Sequence, residues 1–158
     1  MPLPQGDLGL LESETAQRLL ASTLPARIAY TGLDGKPRAL PIWFTWTGDE
    51  LVMASFAGAA KARALRARPE VAITIDTESF PPDVLLLRGA ATVTDVDGFV
   101  PEYVATLRRY LGQEGAAGFL GQFDESATKM HRIAVRPDWV GVLDFKTRLP
   151  GVLGGIQG

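Results

Sequence analysis

The chain has 158 residues, with 16 basic and 18 acidic side chains, a formal net charge of −2, one histidine and no cysteine. That length is one ordinary domain, and the missing cysteines exclude disulfides, thiolate metal sites, iron–sulfur clusters and cysteine nucleophiles. A near-neutral charge gives no long-range attraction to nucleic acid, no stretch is apolar enough to span a bilayer, and the acidic start MPLPQGDLGLLESE is unlike a secretory signal. The expectation is a cytoplasmic protein without nucleic-acid or membrane partners.

Residues 1–12 read as a flexible leader. Ser13 then offers an N-cap, and Ala16, Leu19, Leu20 and Thr23 follow at helical spacing up to Pro25. Arg27 to Thr31 reads as a strand, and Asp34-Gly35 marks a tight hairpin whose return strand is Arg38 to Trp46. After a turn at Gly48-Asp49, Leu51 to Phe56 completes an expected three-stranded meander. Lys61 to Arg68 is built of helix formers, carries four positive charges, and stops at Pro69. Val71 to Asp76 and Val84 to Asp95 read as strands around a loop at residues 78–83, with Gly89 marking a bulge or bend. Val100, Tyr103, Val104, Leu107 and Leu111 share one helical face ended by Gly112, and a second short helix follows at about 114–123. Lys129 to Val135 and Trp139 to Phe145 are the last two strands, separated by Arg136-Pro137-Asp138, and a glycine-rich tail closes the chain. Six to seven antiparallel strands with inserted helices point to a mainly β (α+β) fold, a small Greek-key barrel with peripheral helices.

Two segments carry chemistry. In Ala54-Ser55-Phe56-Ala57-Gly58-Ala59-Ala60-Lys61 a strand turns into a helix through small residues. The backbone N–H groups, the helix N-terminus and the lysine charge could together hold an anion such as a phosphate. The pattern is not a nucleotide-binding P-loop, because Gly58 precedes Lys61 by only three positions and no Ser or Thr follows the lysine; a helix start with a solvated lysine is the plain alternative. In Arg38-Ala39-Leu40-Pro41-Ile42-Trp43-Phe44, Pro41 removes a ladder donor, which suits an edge, a bulge, or a place where a planar ligand lies on the backbone. Phe44 and Trp46 read as core aromatics, Trp43 less clearly so. Arg88 could meet an anion or a partner chain. His131 reads as a hydrogen-bonded structural residue, and one histidine makes a Ser-His-Asp triad improbable. Asp76, Glu78 and Asp83 read as solvated carboxylates. No metal site and no catalytic acid, base or nucleophile stands out.

Taken in order, the hairpin Ile28 to Arg38, the strand Pro41-Ile42-Trp43-Phe44, the run from Ser55 through Lys61 to Leu65, Pro69-Glu70-Val71, the strand Leu87 to Val93, and Arg109-Tyr110-Leu111-Gly112 resemble the pyridoxamine 5′-phosphate oxidase-like split-barrel family. This family includes flavin- and deazaflavin-binding oxidoreductases. The resemblance implies a cofactor-binding split barrel over residues 13–145, followed by a glycine-rich tail at 146–158. It implies a homodimer with FMN, or alternatively the deazaflavin coenzyme F-420, bound at the subunit interface, and hydride transfer to or from a small-molecule substrate. It would lay Arg38, Ala39, Leu40, Pro41, Ile42 and Trp43 along the ring, put Ala54 and Ser55 beside it, and give the cofactor phosphate to Lys61. Arg148-Leu149-Pro150 only partly echoes the Arg-Leu-Ala-Pro tail of the oxidase proper, which argues against oxidation of pyridoxamine phosphate itself. The alternative is a protein on the same barrel that binds or carries flavin, deazaflavin or haem without turnover. A haem would need an axial ligand, and His131 is the only histidine.

Overall fold

The computed structural model describes residues 1–153. Seven strands form one antiparallel sheet: β1 (Ala26–Thr31), β2 (Pro37–Ile42), β3 (Thr45–Trp46), β4 (Leu51–Phe56), β5 (Glu70–Asp76), β6 (Val84–Asp97) and β7 (Lys129–Leu143). Three helices accompany them: α1 (Glu14–Ala21), α2 (Ala60–Ala67) and α3 (Pro101–Leu120). Across the sheet the strands run β2-β1-β5-β6-β7-β4-β3.

This order corrects the meander. The stretch expected as one strand from Arg38 to Trp46 breaks at Trp43-Phe44, and its halves, β2 and β3, lie at opposite edges of the sheet. A flat sheet of seven strands would hold its edge strands about 29 Å apart. The three peptide units from Ile42 to Thr45 reach at most about 11 Å. The sheet must therefore roll until its edges nearly meet, giving a barrel that is not closed, with a seam between β2 and β3. Sequence alternation alone could not show this, because aromatic residues run unbroken through the crossing.

The second correction concerns the last two expected strands, which form the single strand β7. The β6–β7 register shifts between Arg88 and Gly89, which face Trp139 and Pro137, so Asp138 is the extra residue of a bulge. The missing N–H of Pro137 falls where the ladder is already interrupted. The bulge also re-aims side chains: Ile133 and Val135 face the core before it, and Val140 and Val142 after it. Gly89 is needed there, since a Cβ would lie 2.6 Å from the Arg136 carbonyl oxygen.

Inward-facing Ile28, Leu51, Met53, Ile73, Ile75, Leu85 and Leu87 fill the barrel, with Phe44 fully buried among them. The two short helices sit at opposite ends of β6. Helix α1, capped by Ser13 Oγ on the Ala16 N–H at 3.2 Å, buries Leu19 and Leu20 in the core and reaches Asp83 through Arg18. Helix α2 buries Leu65 and reaches Asp95 through Arg66. Helix α3 lies outside against β3 and β4. Its break at Gly112, with φ 75°, is the stop expected from sequence. Within residues 1–12, Leu10 is buried, and Gln5 brackets Val142 by donating to its carbonyl at 2.7 Å and accepting from its N–H at 2.8 Å. Residues 154–158 of the expected tail lie outside the described residues. Among the described residues no helix is long and apolar enough to cross a membrane.

Candidate functional site

The seam creates the recess that concerns function. Where β2 ends and the chain crosses to β3, Pro41, Ile42 and Trp43 meet Ala54 of β4, Tyr103 of α3 and Pro25 ahead of β1 around a hollow of about 450 Å³. That volume is within the range of small-molecule sites. Among the described residues no charged side chain lines it. Pro41 has no N–H to leave unsatisfied, and Ala54 is small, so a flat ring could approach the backbone closely at both.

The crossing is held open by α3. Trp43 stacks on Tyr110 with centroids 4.6 Å apart and planes 13° from parallel. The Tyr110 hydroxyl donates to the Leu24 carbonyl at 2.7 Å. Arg109 donates to the Phe44 carbonyl and lies over the Phe44 ring at 4.9 Å, while its Nε is buried without a partner. Trp43 thereby stays 39% exposed while Phe44, next in sequence, is at 0%. The core assignment of Phe44 and the different fate of Trp43 follow from this bracket.

The other residues picked from sequence are placed as follows. Arg38 and Ala39 are exposed on β2, Arg38 bonding Asp34 at 2.9 Å, and Leu40 turns toward the core. Ala54 and Ser55, adjacent in β4, face opposite sides of the sheet. Ala54 lines the recess, whereas Ser55 has the parity of Leu51 and Met53, and its buried Oγ has no hydrogen-bond partner. Ser55 pairs with His131, and His131 with Asp95, in one row across β4, β7 and β6. His131 Nδ1 lies 2.7 Å from Asp95 Oδ1, but Ser55 bonds to neither, so the row is not an activated nucleophile.

Lys61 stands in the first turn of α2, whose N-cap Ala59 supplies no side-chain cap. The four basic residues of this segment separate clearly. Arg66 pairs with Asp95 at 2.7 Å, Arg68 donates to the Gly32 carbonyl at 3.0 Å, and Arg63 reaches the Gly58 carbonyl at 3.5 Å. Lys61 alone has no hydrogen bond or ion pair among the described residues, although burial lowers its pKa from 10.5. A desolvated cation without a counter-ion is suited to an anionic ligand group. The apolar recess fits a flat ring, and the unpaired lysine suits an anionic group such as a phosphate, while the Ser55 hydroxyl faces the other side of the sheet.

Asp76 and Asp83 each pair with an arginine, Arg27 and Arg18, and form no acid–base pair. Arg88 stacks over Trp139 at 3.9 Å and lines a second, 580 Å³ hollow on the outer face of β1, β2, β5 and β6. Tyr103 and Pro25 were not singled out from sequence as lining residues. Tyr103 read as one more member of an apolar helical stripe; its polar tip was the available signal.

The fold and site define a split barrel with an apolar recess at its seam. The family described as pyridoxamine 5′-phosphate oxidase matches residues 13–144, and the chain belongs to that family. Among solved structures it is similar to an F420 reductase, at 26% identity and TM-score 0.62, over 78% of this chain and 93% of that one. It is also similar to a conserved hypothetical protein from Mycobacterium tuberculosis, at 17% identity and TM-score 0.66, over 90% and 91% of the two chains. A heme binding protein from Mycobacterium smegmatis shares the fold at 20% identity and TM-score 0.59, over 87% of this chain and 55% of that one. No curated protein sequence matches.

Proposed function

We propose that this chain is a cytoplasmic oxidoreductase that binds FMN or a deazaflavin coenzyme between two copies of itself and transfers hydride to or from a small substrate. The observation that carries the reading is the meeting of Pro41, Ile42, Trp43 and Ala54 around one uncharged recess, with Lys61 the cation of α2 left without a partner among the described residues. Either ring, when bound, supplies two-electron hydride chemistry. The chain's own residues seat the ring against β2, exclude water with Trp43 and Tyr103, and neutralise the phosphate at Lys61. Similarity to an F420 reductase favours the deazaflavin of the two.

The dimer has its own support. Ala39, Ala29 and Ala72 stand side by side across β2, β1 and β5, all three exposed on the outer face. Such a smooth row lets a second sheet approach closely. A haem carrier is less well served, because His131 lines a separate 240 Å³ hollow with Asp95 and Asp97, away from the recess. Haem seated at the seam would have no histidine ligand.

Equilibrium titration of the purified protein with FMN, oxidised F-420 and haemin, followed by fluorescence and absorption, tests the reading. Saturable binding of FMN or F-420 at micromolar concentration is expected. Binding of neither up to tens of micromolar, or of haemin alone, overturns it.

A further inference from the structure

The recess has one group able both to donate a hydrogen bond and to release a proton. Of its six lining residues four are apolar, and the Trp43 indole N–H is too weak an acid to give up a proton. The sixth is Tyr103, whose hydroxyl makes no hydrogen bond among the described residues. Burial raises its pKa from 10.0, so the group stays protonated at neutral pH.

Its placement is rigid. Tyr103 lies in the first turn of α3, where its N–H bonds the Val100 carbonyl at 3.0 Å. The preceding residue, Glu102, accepts from Arg132 Nη2 at 2.6 Å and Nε at 2.9 Å through its carboxylate, and from Thr45 and Thr106 at 3.1 and 2.8 Å through its carbonyl. These bonds tie the turn to β3 and β7. The ring of Tyr103 meets the edge of Phe56 at 6.2 Å and 80°, which fixes its plane. A donor held this firmly is pre-organised for a ligand atom.

We propose that Tyr103 is the substrate-facing donor of the recess: its hydroxyl holds the carbonyl oxygen of an uncharged, planar substrate and protonates that oxygen during reduction. The absence of charged lining residues selects for an uncharged compound, and the aromatic walls select for a flat one. The chemical step rests on the oxidoreductase reading. For a quinone, the ring–hydrogen bond of the reduced coenzyme breaks as its hydride goes to the quinone and forms the O–H bond at the far carbonyl oxygen, while the Tyr103 O–H bond breaks and its proton forms the O–H bond at the held oxygen. The products are hydroquinone, oxidised coenzyme and a phenolate that water reprotonates.

The test compares wild type, Tyr103→Phe and, as control, Tyr30→Phe on β1 outside the recess lining, with 1,4-naphthoquinone as probe. In the coenzyme-free protein, calorimetric titration should show Tyr103→Phe binding the probe about five- to tenfold more weakly, the worth of one hydrogen bond. Tyr30→Phe, which leaves the recess lining intact, should bind it as wild type does. With reduced F-420 or FMN bound, single-turnover reduction should slow about 100-fold in Tyr103→Phe and lose its solvent deuterium isotope effect, while coenzyme affinity stays within twofold. Wild-type protein that does not bind the probe, equal probe binding by Tyr103→Phe, or a loss of coenzyme affinity in its place, overturns the proposal. If neither coenzyme binds but probe affinity still depends on Tyr103, the oxidoreductase reading fails and the substrate contact stands.

Discussion

Replacing Lys61 with methionine should move two quantities in opposite senses. Methionine keeps most of the apolar stem, so packing at the start of α2 is retained, and no ion pair or hydrogen bond is lost because Lys61 makes none among the described residues. What disappears is a charge whose burial is uncompensated. Ligand-free Lys61→Met should therefore melt at the same temperature as wild type or higher. The same substitution removes a charge-assisted contact to the ligand phosphate, worth about 1.5 to 3 kcal/mol, so FMN or F-420 should bind about 10- to 150-fold more weakly. The pH dependence carries a matching sign. Because the folded-state pKa of Lys61 lies below 10.5, the unfolded chain holds more protons between that lowered value and 10.5. The Lys61 contribution to ligand-free stability rises with pH across this window, so the stability difference between wild type and Lys61→Met changes with pH in that sense. Scanning calorimetry between pH 7 and 10.5, with fluorescence titration for affinity, reads all three effects. A melting temperature lowered by several degrees, or unchanged cofactor affinity, would refute the reasoning and return Lys61 to an ordinary structural role.

Two further substitutions probe the frame that positions the site. Gly89→Ala puts a Cβ 2.6 Å from the Arg136 carbonyl oxygen and 3.1 Å from Val135 Cγ1, at the centre of the longest strand pair. Urea unfolding should show a loss of about 2 to 3 kcal/mol, and a loss below about 0.5 kcal/mol would contradict the bulge argument. Asp144 is held down at about 2 from 3.8: burial pushes it up, but hydrogen bonds from Thr147 Oγ1 and from the N–H groups of Lys146, Arg148 and Thr147 outweigh that. Its contribution is present above pH 3.8 and lost as pH falls toward 2, about 1 kcal/mol after solvent screening. Asp144→Asn should lower stability at pH 7 and narrow the gap between pH 7 and pH 3 melts; parallel curves would remove Asp144 from the account.

The features legible in the sequence were those set by local chemistry. Ser13 capped α1, Asp34-Gly35 turned β1 into β2, Pro69 followed α2, and Gly112 broke α3, each by a rule that operates over a few residues. The crossing at Trp43-Phe44 was not legible, since nothing in Ile42-Trp43-Phe44-Thr45-Trp46 distinguishes a continuing strand from one that leaves a sheet edge and joins the other. Sheet closure decides it. Pro137 likewise reads as a strand end, because only its pairing with Gly89, some 50 residues away in sequence, reveals a bulge within one continuous strand. Of the residues lining the recess, Pro41 and Trp43 could be picked out by residue type. Tyr103 could not, because only tertiary packing shows which tyrosine of an apolar helical face keeps its hydroxyl free.

The central claim is that the seam of the barrel seats a flat coenzyme ring whose phosphate is held by Lys61. A crystal structure of the protein grown with FMN or F-420 tests it most directly. The account predicts the ring against Pro41, Ile42, Trp43 and Ala54, the phosphate within hydrogen-bond distance of Lys61 Nζ, and a second copy of the chain completing the site. A ring bound elsewhere, or a phosphate that does not touch Lys61, would contradict it.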